Sequence, residues 1–330
     1  MSRRMETLHG LDGLRAAPRG AVLTVGNFDG LHRGHRRLLA ACADARVASR
    51  AAALVAVTFE PHPLTVLKPE IAPPRLTPPD VKDGLLAAAG VTHLVVLAPT
   101  PDVLNTTSEE FLAILGHVRP AHLVEGDTFT FGKGRGGDIH RLRAWASGAG
   151  VGLTTIDPVE AVLLNLQVVP VSSSLVRWLL AHGRARDAAI CLGRAYALRG
   201  AVVEGFKRGR TIGVPTANLR VGDGQMVPLD GVYAGRCAVD GATYPAAVHI
   251  GPLPTFDDPV ARQVEAHLIG YTGDLYGRTI EVEVLDWLRD VRKFAGVEAL
   301  KAQIARDVGR AQRTARRADP AREIAGTGVR

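Results

Sequence analysis

The chain has little cysteine, few aromatic residues and no long apolar run. Its three cysteines, Cys42, Cys191 and Cys237, lie far apart in 330 residues and form no CxxC pair. That spacing excludes a zinc ribbon and a disulfide framework. Aromatic residues make up 5% of the chain. They do not interleave with a basic patch, and no RNP signature occurs, so no specific nucleic-acid partner is expected. No apolar stretch reaches membrane-spanning length. The first residues, MSRRMETLHG, carry positive charge without the apolar core of a signal peptide. The expected compartment is a reducing cytoplasm, with no membrane partner. There is no internal repeat and no Walker A string GxxxxGK(S/T).

What is present points to two folded parts. A chain of 330 residues predicts about two domains. Its hydrophobic fraction of 46% is that of an ordinary globular protein. The net charge of +7 is uneven: from Arg310 to Arg330 six arginines stand against Asp319 and Glu323. That polar, Ala/Arg-rich stretch, 310–330, has no sustained apolar stripe and reads as a disordered basic tail.

The first half alternates apolar strands with helical stretches. Strands are expected at Val22–Val25, Ala53–Phe59, His93–Leu97, Ala121–Glu125 and Val151–Ile156. Helices are expected at Leu38–Ala48, Val81–Ala89, Ser108–Leu115 and Arg141–Ser147. This βα alternation predicts an α/β domain with a parallel sheet, whose ligands gather at the carboxyl ends of the strands. After a helical segment, Leu175–Leu192, the pattern changes to short β-rich runs: Arg199–Val203, Val232–Val239, Thr243–Ile250, Val264–Ile269 and Thr279–Leu285. These predict a small antiparallel β-barrel, closed by a helix carrying Val297, Leu300 and Ile304 at helical spacing. The expected domains are 1–190 and 191–309.

The most informative stretch is Val22 to His35. A short strand runs into Gly26-Asn27-Phe28-Asp29-Gly30, and a helical pattern follows. The glycines let the backbone turn and approach a ligand. His32 and His35, three apart at a helix start, share one face. Helix N-termini favour anions, and two imidazoles there suit phosphate oxygens whose charge grows during transfer. Zinc would need further ligands and a different spacing. Phe59-Glu60-Pro61-His62-Pro63 follows another strand end, and its prolines hold His62 in a stiff loop. After Glu125 comes a glycine-rich loop bearing Lys133 and Arg135, with Phe129 and Phe131 alternating on one face. Those rings can pack on a planar ligand or on the core. At Ser172-Ser173-Ser174 the hydroxyls suit a helix cap, and Arg177 can reach phosphates.

The second half has its own signal, Gly205 to Asn218. Gly205, Gly209 and Gly213 interleave with Lys207, Arg208 and Arg210, ahead of Pro215-Thr216-Ala217-Asn218. Thr216 and Asn218, two apart on a strand, point the same way, and their oxygens can hold Mg²⁺ beside ATP phosphates. Glu265 and His267 likewise share one strand face.

These strings, in this order from about Gly20 to Asp307, resemble the bacterial bifunctional riboflavin kinase/FAD synthetases. GNFDGLHRGH is similar to that family's first (H/T)xGH nucleotidyltransferase motif, and FEPHP to its second. GDTFTFGKGRGGD, SSSLVR, GRTIGVPTAN, DLYG and RDVRKF resemble later ones. The resemblance implies a Rossmann-like nucleotidyltransferase domain followed by a riboflavin kinase barrel. It implies that the barrel phosphorylates riboflavin to FMN with ATP, and that the α/β domain joins AMP from a second ATP to FMN, giving FAD and pyrophosphate. By resemblance Glu265 orients or deprotonates the riboflavin hydroxyl, and His32, His35 and Arg177 serve adenylyl transfer. Gly26, Asn27, Phe28, Asp29, Gly30, Ser173, Gly205, Lys207, Arg210 and Gly213 line ATP phosphates. His62, Phe129, Arg289 and Phe294 contact flavin, and Thr216 and Asn218 hold Mg²⁺. Departures occur at Thr128, where an acidic or amide residue is usual, at His249, where asparagine is usual, and at Gly270. The same residues would suit a paralogue acting on another flavin or nucleotide, or a flavin-binding regulator without turnover. A homo-oligomer stays open.

Overall fold

The computed structural model describes residues 5–205, 213–252 and 262–318. The chain forms two compact units, one of 1–161 with 168–173 and the other of 162–167 with 174–330.

In the first unit the order is β1 (Glu6–His9), α1 (Gly10–Arg15), β2 (Val22–Val25), α2 (Arg33–Ala48), β3 (Leu54–Phe59), α3 (Leu64–Leu67), α4 (Pro79–Ala88), β4 (His93–Leu97), α5 (Pro101–Asn105), α6 (Ser108–Val118) and β5 (His122–Gly126). The short pair β6 (Thr130–Phe131) and β7 (Gly137–Asp138) precedes α7 (Ile139–Ala149), β8 (Gly152–Ile156), β9 (Glu160–Val162) and β10 (Val168–Pro170). Six strands make one parallel sheet in the order β1-β4-β3-β2-β5-β8. From β2 the chain steps outward one way to β3 and β4 and the other way to β5 and β8. The gap between β2 and β5 is therefore the point where strand order reverses, the usual ligand crevice of such sheets.

The central strands are apolar on both sides because helices cover both faces. Leu23, Val55, Val57, Val95 and Leu123 enter one core cluster. Val22, Leu54, Ala56, Leu94 and Val124 enter the other, with Leu39 and Cys42 of α2. The helices are set by their ends. Thr107 and Glu110 form a reciprocal capping box at the start of α6. Asp138 caps α7 by accepting from Arg141 N at 2.9 Å.

The second unit opens with α8 (Ser173–Ala181) and α9 (Ala185–Leu192). Six strands follow: β11 (Tyr196–Val203), β12 (Ala217–Val221), β13 (Gly231–Val239), β14 (Ala242–Pro252), β15 (Arg262–Leu268) and β16 (Thr279–Arg289). The last described helix is α10 (Val297–Arg317). The strands close into a barrel in the order β11-β12-β15-β14-β13-β16, with β16 pairing back to β11. Along β15 every second residue, Val264, Ala266 and Leu268, is buried, while Gln263, Glu265 and His267 face the other way.

An α/β domain followed by an antiparallel barrel with a closing helix is the organisation expected from the patterning. The structure adds β1, α1 and β12. It starts α2 at Arg33 rather than Leu38, because His32 caps it. It also corrects the tail. The closing helix runs to Arg317 with Ala311 and Ala315 buried, so 310–317 is folded. Alanine methyls, rather than a stripe of large apolar residues, make that contact.

Candidate active sites

The first site is built at the carboxyl end of β2. The loop is tight: Phe28 and Leu31, neither a glycine, have φ of 49° and 37°. Such residues are held there by their surroundings. Phe28 is fully buried, a contribution of about 2 kcal/mol that anchors the turn. The Asp29 carboxylate accepts from Leu76 N at 2.9 Å and Thr77 N at 3.1 Å. Its carbonyl accepts from Ser173 Oγ at 2.8 Å. Asp29 and Ser173 thus tie the loop to two other segments of the chain.

His32 is the N-cap of α2. Its Nδ1 accepts from His35 N at 3.3 Å, which leaves Nε2 as the N–H of a neutral ring. The two imidazoles stack with centroids 3.7 Å apart. Gly34 makes this possible, since a Cβ there would sit 3.1 Å from the His32 ring. Burial first, and His32 second, hold the His35 pKa well below its usual value. His35 Nδ1 and Asn27 Oδ1 are buried without a hydrogen-bond partner. Orphaned polar atoms at a helix N-terminus call for a polar ligand.

The loops after β3 and β5 are tied down by local contacts. His62 Nδ1 accepts from Leu64 N at 3.1 Å, and the preceding Glu60 pairs with the buried Lys82 at 2.8 Å. Phe129 stacks on Phe131 with centroids 5.6 Å apart and packs against the core cluster. Phe131 is itself buried against Phe111. Thr128, Lys133 and Arg135 are exposed. Arg177 is half-buried on α8, in the second unit.

The second site lies on the outer face of the barrel. Register puts Asn218 opposite Glu265 and Glu265 opposite His249. Directly opposed residues share a face. Thr216 Oγ1 donates to Glu265 Oε2 at 3.2 Å, and Asn218 Oδ1 accepts from Gln263 Nε2. Gly205 lies against the Asn218 amide, where a Cβ would come within 2.3 Å of Nδ2. A hydroxyl, an amide oxygen and a carboxylate are thereby gathered, a donor set suited to a hard cation that keeps other ligands. Burial lowers the His249 pKa, opposed by the charge of Glu265. Beside Thr216 opens a cavity of about 500 Å³ lined by Val202, Gly213, Leu268, Tyr271 and Leu275 among others. Sequence reasoning missed Tyr271 as a lining residue, since it belongs to no motif.

Arg289 continues the row of Asn218, Glu265 and His249: Val232 pairs with both His249 and Arg289, and the Arg289 charge also lowers the His249 pKa. Its guanidinium pairs with the buried Asp307 of α10 at 2.8 Å. It also lies over the Phe294 ring, 5.6 Å from the centroid. Gln303 donates to the same Asp307 at 2.8 Å. Lys207 and Arg210 lie outside the described residues.

A parallel α/β unit with an anion loop, and a barrel with an oxygen-donor cluster beside a cavity, define a two-module enzyme of nucleotide phosphates. The model of the FAD synthetase family matches residues 14–173, and that of the riboflavin kinase family matches 192–315. The bifunctional riboflavin kinase/FMN adenylyltransferase of Escherichia coli K12 is 36% identical over 307 residues, 92% of this chain and 96% of that one. The enzyme of the same description from Bacillus subtilis is 33% identical over 292 residues, 87% and 90% of the two chains. A solved structure described as a macrolide-efflux protein from Streptococcus pneumoniae matches with a TM-score of 0.84. Its identity is 28%, and the match covers 93% of this chain and 99% of that one. Among the described residues no helix here is long and apolar enough to cross a membrane. The chain belongs to the bifunctional riboflavin kinase/FMN adenylyltransferase family.

Proposed function

We propose that this chain makes FMN from riboflavin in its barrel and FAD from FMN in its α/β unit, with the two sites described above as the reaction centres. The kinase module is read as 191–309 with the rest of α10, and the transferase module as 1–190. The family matches, 14–173 and 192–315, fall one within each module and leave 174–191, which lies in the second compact unit, between them.

In the barrel the terminal ribityl hydroxyl of riboflavin attacks the γ-phosphorus of ATP. A new O–P bond forms, the β,γ-bridging bond breaks, and ADP leaves. Glu265 takes the hydroxyl proton, and the Thr216 hydroxyl bonded to it holds the carboxylate in place. Thr216 and Asn218 would hold Mg²⁺, which supplies charge neutralisation at the phosphates. The cavity beside Thr216 takes the nucleotide, with Gly205, Lys207, Arg210 and Gly213 along the phosphates. Arg289, positioned by Asp307, and Phe294 face the flavin.

In the α/β unit a phosphate oxygen of FMN attacks the α-phosphorus of ATP, and pyrophosphate leaves. No covalent enzyme intermediate is needed. The 26–30 loop, the α2 N-terminus, His32 Nε2–H and His35 stabilise charge on the phosphate oxygens. The lowered pKa of His35 makes it a neutral hydrogen-bonding partner rather than a cation. His62 and Phe129 flank the flavin. The protein works in the cytoplasm, a reading supported by its three free, buried cysteines.

The observation that carries this reading is the Thr216–Glu265–Asn218 cluster, standing in one chain with a capped, stacked His32/His35 pair. The test is a time course with riboflavin, ATP and Mg²⁺, followed by chromatography of the flavins. FMN that rises and then converts to FAD is the expected result, and chelation of Mg²⁺ stops it. FMN without FAD would remove the transferase assignment. Flavin binding without ATP consumption would remove both.

A further inference from the structure

Glu125 belongs to no motif, yet it is a carboxyl 2% exposed at the end of an apolar strand. Parallel pairing between β2 and β5 covers Val22↔His122 and Leu23↔Leu123 and then ends. There the strands part, at the point where strand order reverses. Val25 N, the last amide of β2, is taken across the gap by Glu125 Oε1 at 2.8 Å. On its other side β2 stays paired with β3 through Val25↔Val57, and Gly26 N donates to Val57 O at 2.9 Å. The root of the 26–30 loop is therefore held by backbone toward β3 and by one side chain toward β5. A valine at 125 would suit this apolar setting at less desolvation cost, but would leave the Val25 N–H without that acceptor.

We propose that Glu125 is a positioning residue for adenylyl transfer. By accepting the Val25 N–H it fixes the root of the 26–30 loop, and through the loop the His32/His35 pair, against the transferred phosphate. This rests on reading the α/β unit as the adenylyltransferase. Burial raises the Glu125 pKa well above the usual carboxyl range, opposed by the Val25 hydrogen bond, so the folded chain favours the neutral acid. The titratable neighbour is Cys42 on α2, whose thiol is pushed up to about 12 by burial first and by Glu125 second. From β8 the residue in register is Thr155, and β2 brings the Thr24 hydroxyl, also buried. No cation among these offsets an ionised Glu125. Its negative charge would then stand behind a loop that must bind anions.

The test uses the full chain and two assays: FAD from supplied FMN, and FMN from riboflavin as the control for folding. Glu125→Ala should lower kcat for FAD formation on the order of tenfold to a hundredfold, the scale of a misplaced reacting group. FMN formation should stay within about twofold, because the barrel forms a separate compact unit. Glu125→Gln keeps an acceptor oxygen and cannot ionise. It should restore FAD formation to within about threefold of the wild-type rate, because the acceptor oxygen for Val25 N is kept. An alanine variant with the wild-type FAD rate, or a glutamine variant as weak as alanine, would overturn the proposal. If the alanine variant does not fold, Glu125→Val, which fills the apolar site without an acceptor, takes its place, and a valine variant with the wild-type FAD rate would overturn the proposal. A wild-type chain that forms no FAD would instead remove the module assignment, and this inference with it.

Discussion

At the residue scale, small groups are chosen for what they leave room for. Gly205 is the sharpest case, with the Asn218 amide occupying the place of its missing Cβ. Gly205→Ala should push Asn218 off its position opposite Glu265 and lower riboflavin phosphorylation on the order of tenfold. FAD formation from supplied FMN should not change. An alanine variant with full kinase activity would show that Asn218 need not sit there. His35 gives a pH prediction. Its pKa is lowered by burial and by His32, so the folded chain favours the neutral ring. That contribution to stability is fully present above the unfolded value of about 6.5. It is lost as pH falls from there through the lowered folded pKa. His35→Asn should therefore lose less stability than the wild type between about pH 7 and about pH 5, as read by denaturant unfolding. Equal losses would mean that the ring is not held neutral. The histidine pair was legible in the sequence because its chemistry is written in residue types three apart. Glu125 was not. A lone carboxylate closing an apolar strand looks like an ordinary exposed strand end, and its acceptor role depends on β2 and β5 parting at that level.

At the element scale, α10 does more than cover the barrel. It delivers Asp307 and Gln303 to Arg289, and Gln303 also accepts from Arg292 at 2.5 Å. Arg289 and Arg292 both lie over Phe294. Asp307→Ala leaves a largely buried guanidinium without its carboxylate, at a cost of about 3 kcal/mol. It should also raise the KM for riboflavin while FAD formation from FMN is kept. Unfolding curves and initial rates check the two halves of this prediction, and an unchanged KM would separate Arg289 from flavin recognition. Sequence pattern found the helix from Val297, Leu300 and Ile304, but placed its end too early. The final turns pack through Ala311 and Ala315, and alanine-rich arginine-rich sequence reads equally as solvated coil. Strand β12 was hidden for a related reason. Its Asn218, with Thr216 just ahead of the strand, was legible as a ligand pair, but a five-residue strand after a proline carries little alternation of its own.

At the scale of the whole molecule, two chemistries sit in two compact units of one chain, so their losses should be separable. His32→Ala combined with His35→Ala should abolish FAD formation, a loss of at least about a thousandfold for two charge-stabilising groups, and leave FMN formation intact. Glu265→Ala should abolish FMN formation by at least about a hundredfold and leave adenylylation of supplied FMN intact. A folded variant of either kind that lost both activities would overturn the two-site assignment. The closure of the barrel has a further consequence. Because β16 returns to β11, its ladder presents no open row of backbone N–H and C=O groups along a border strand. An extended segment of another protein, or of an unfolding copy, has nowhere in that ladder to add itself. The parallel sheet keeps two such borders, the four-residue β1 and the five-residue β8. The two-stranded pairs β6–β7 and β9–β10 carry short borders of their own, so among the described residues strand-to-strand association is confined to short borders outside the barrel.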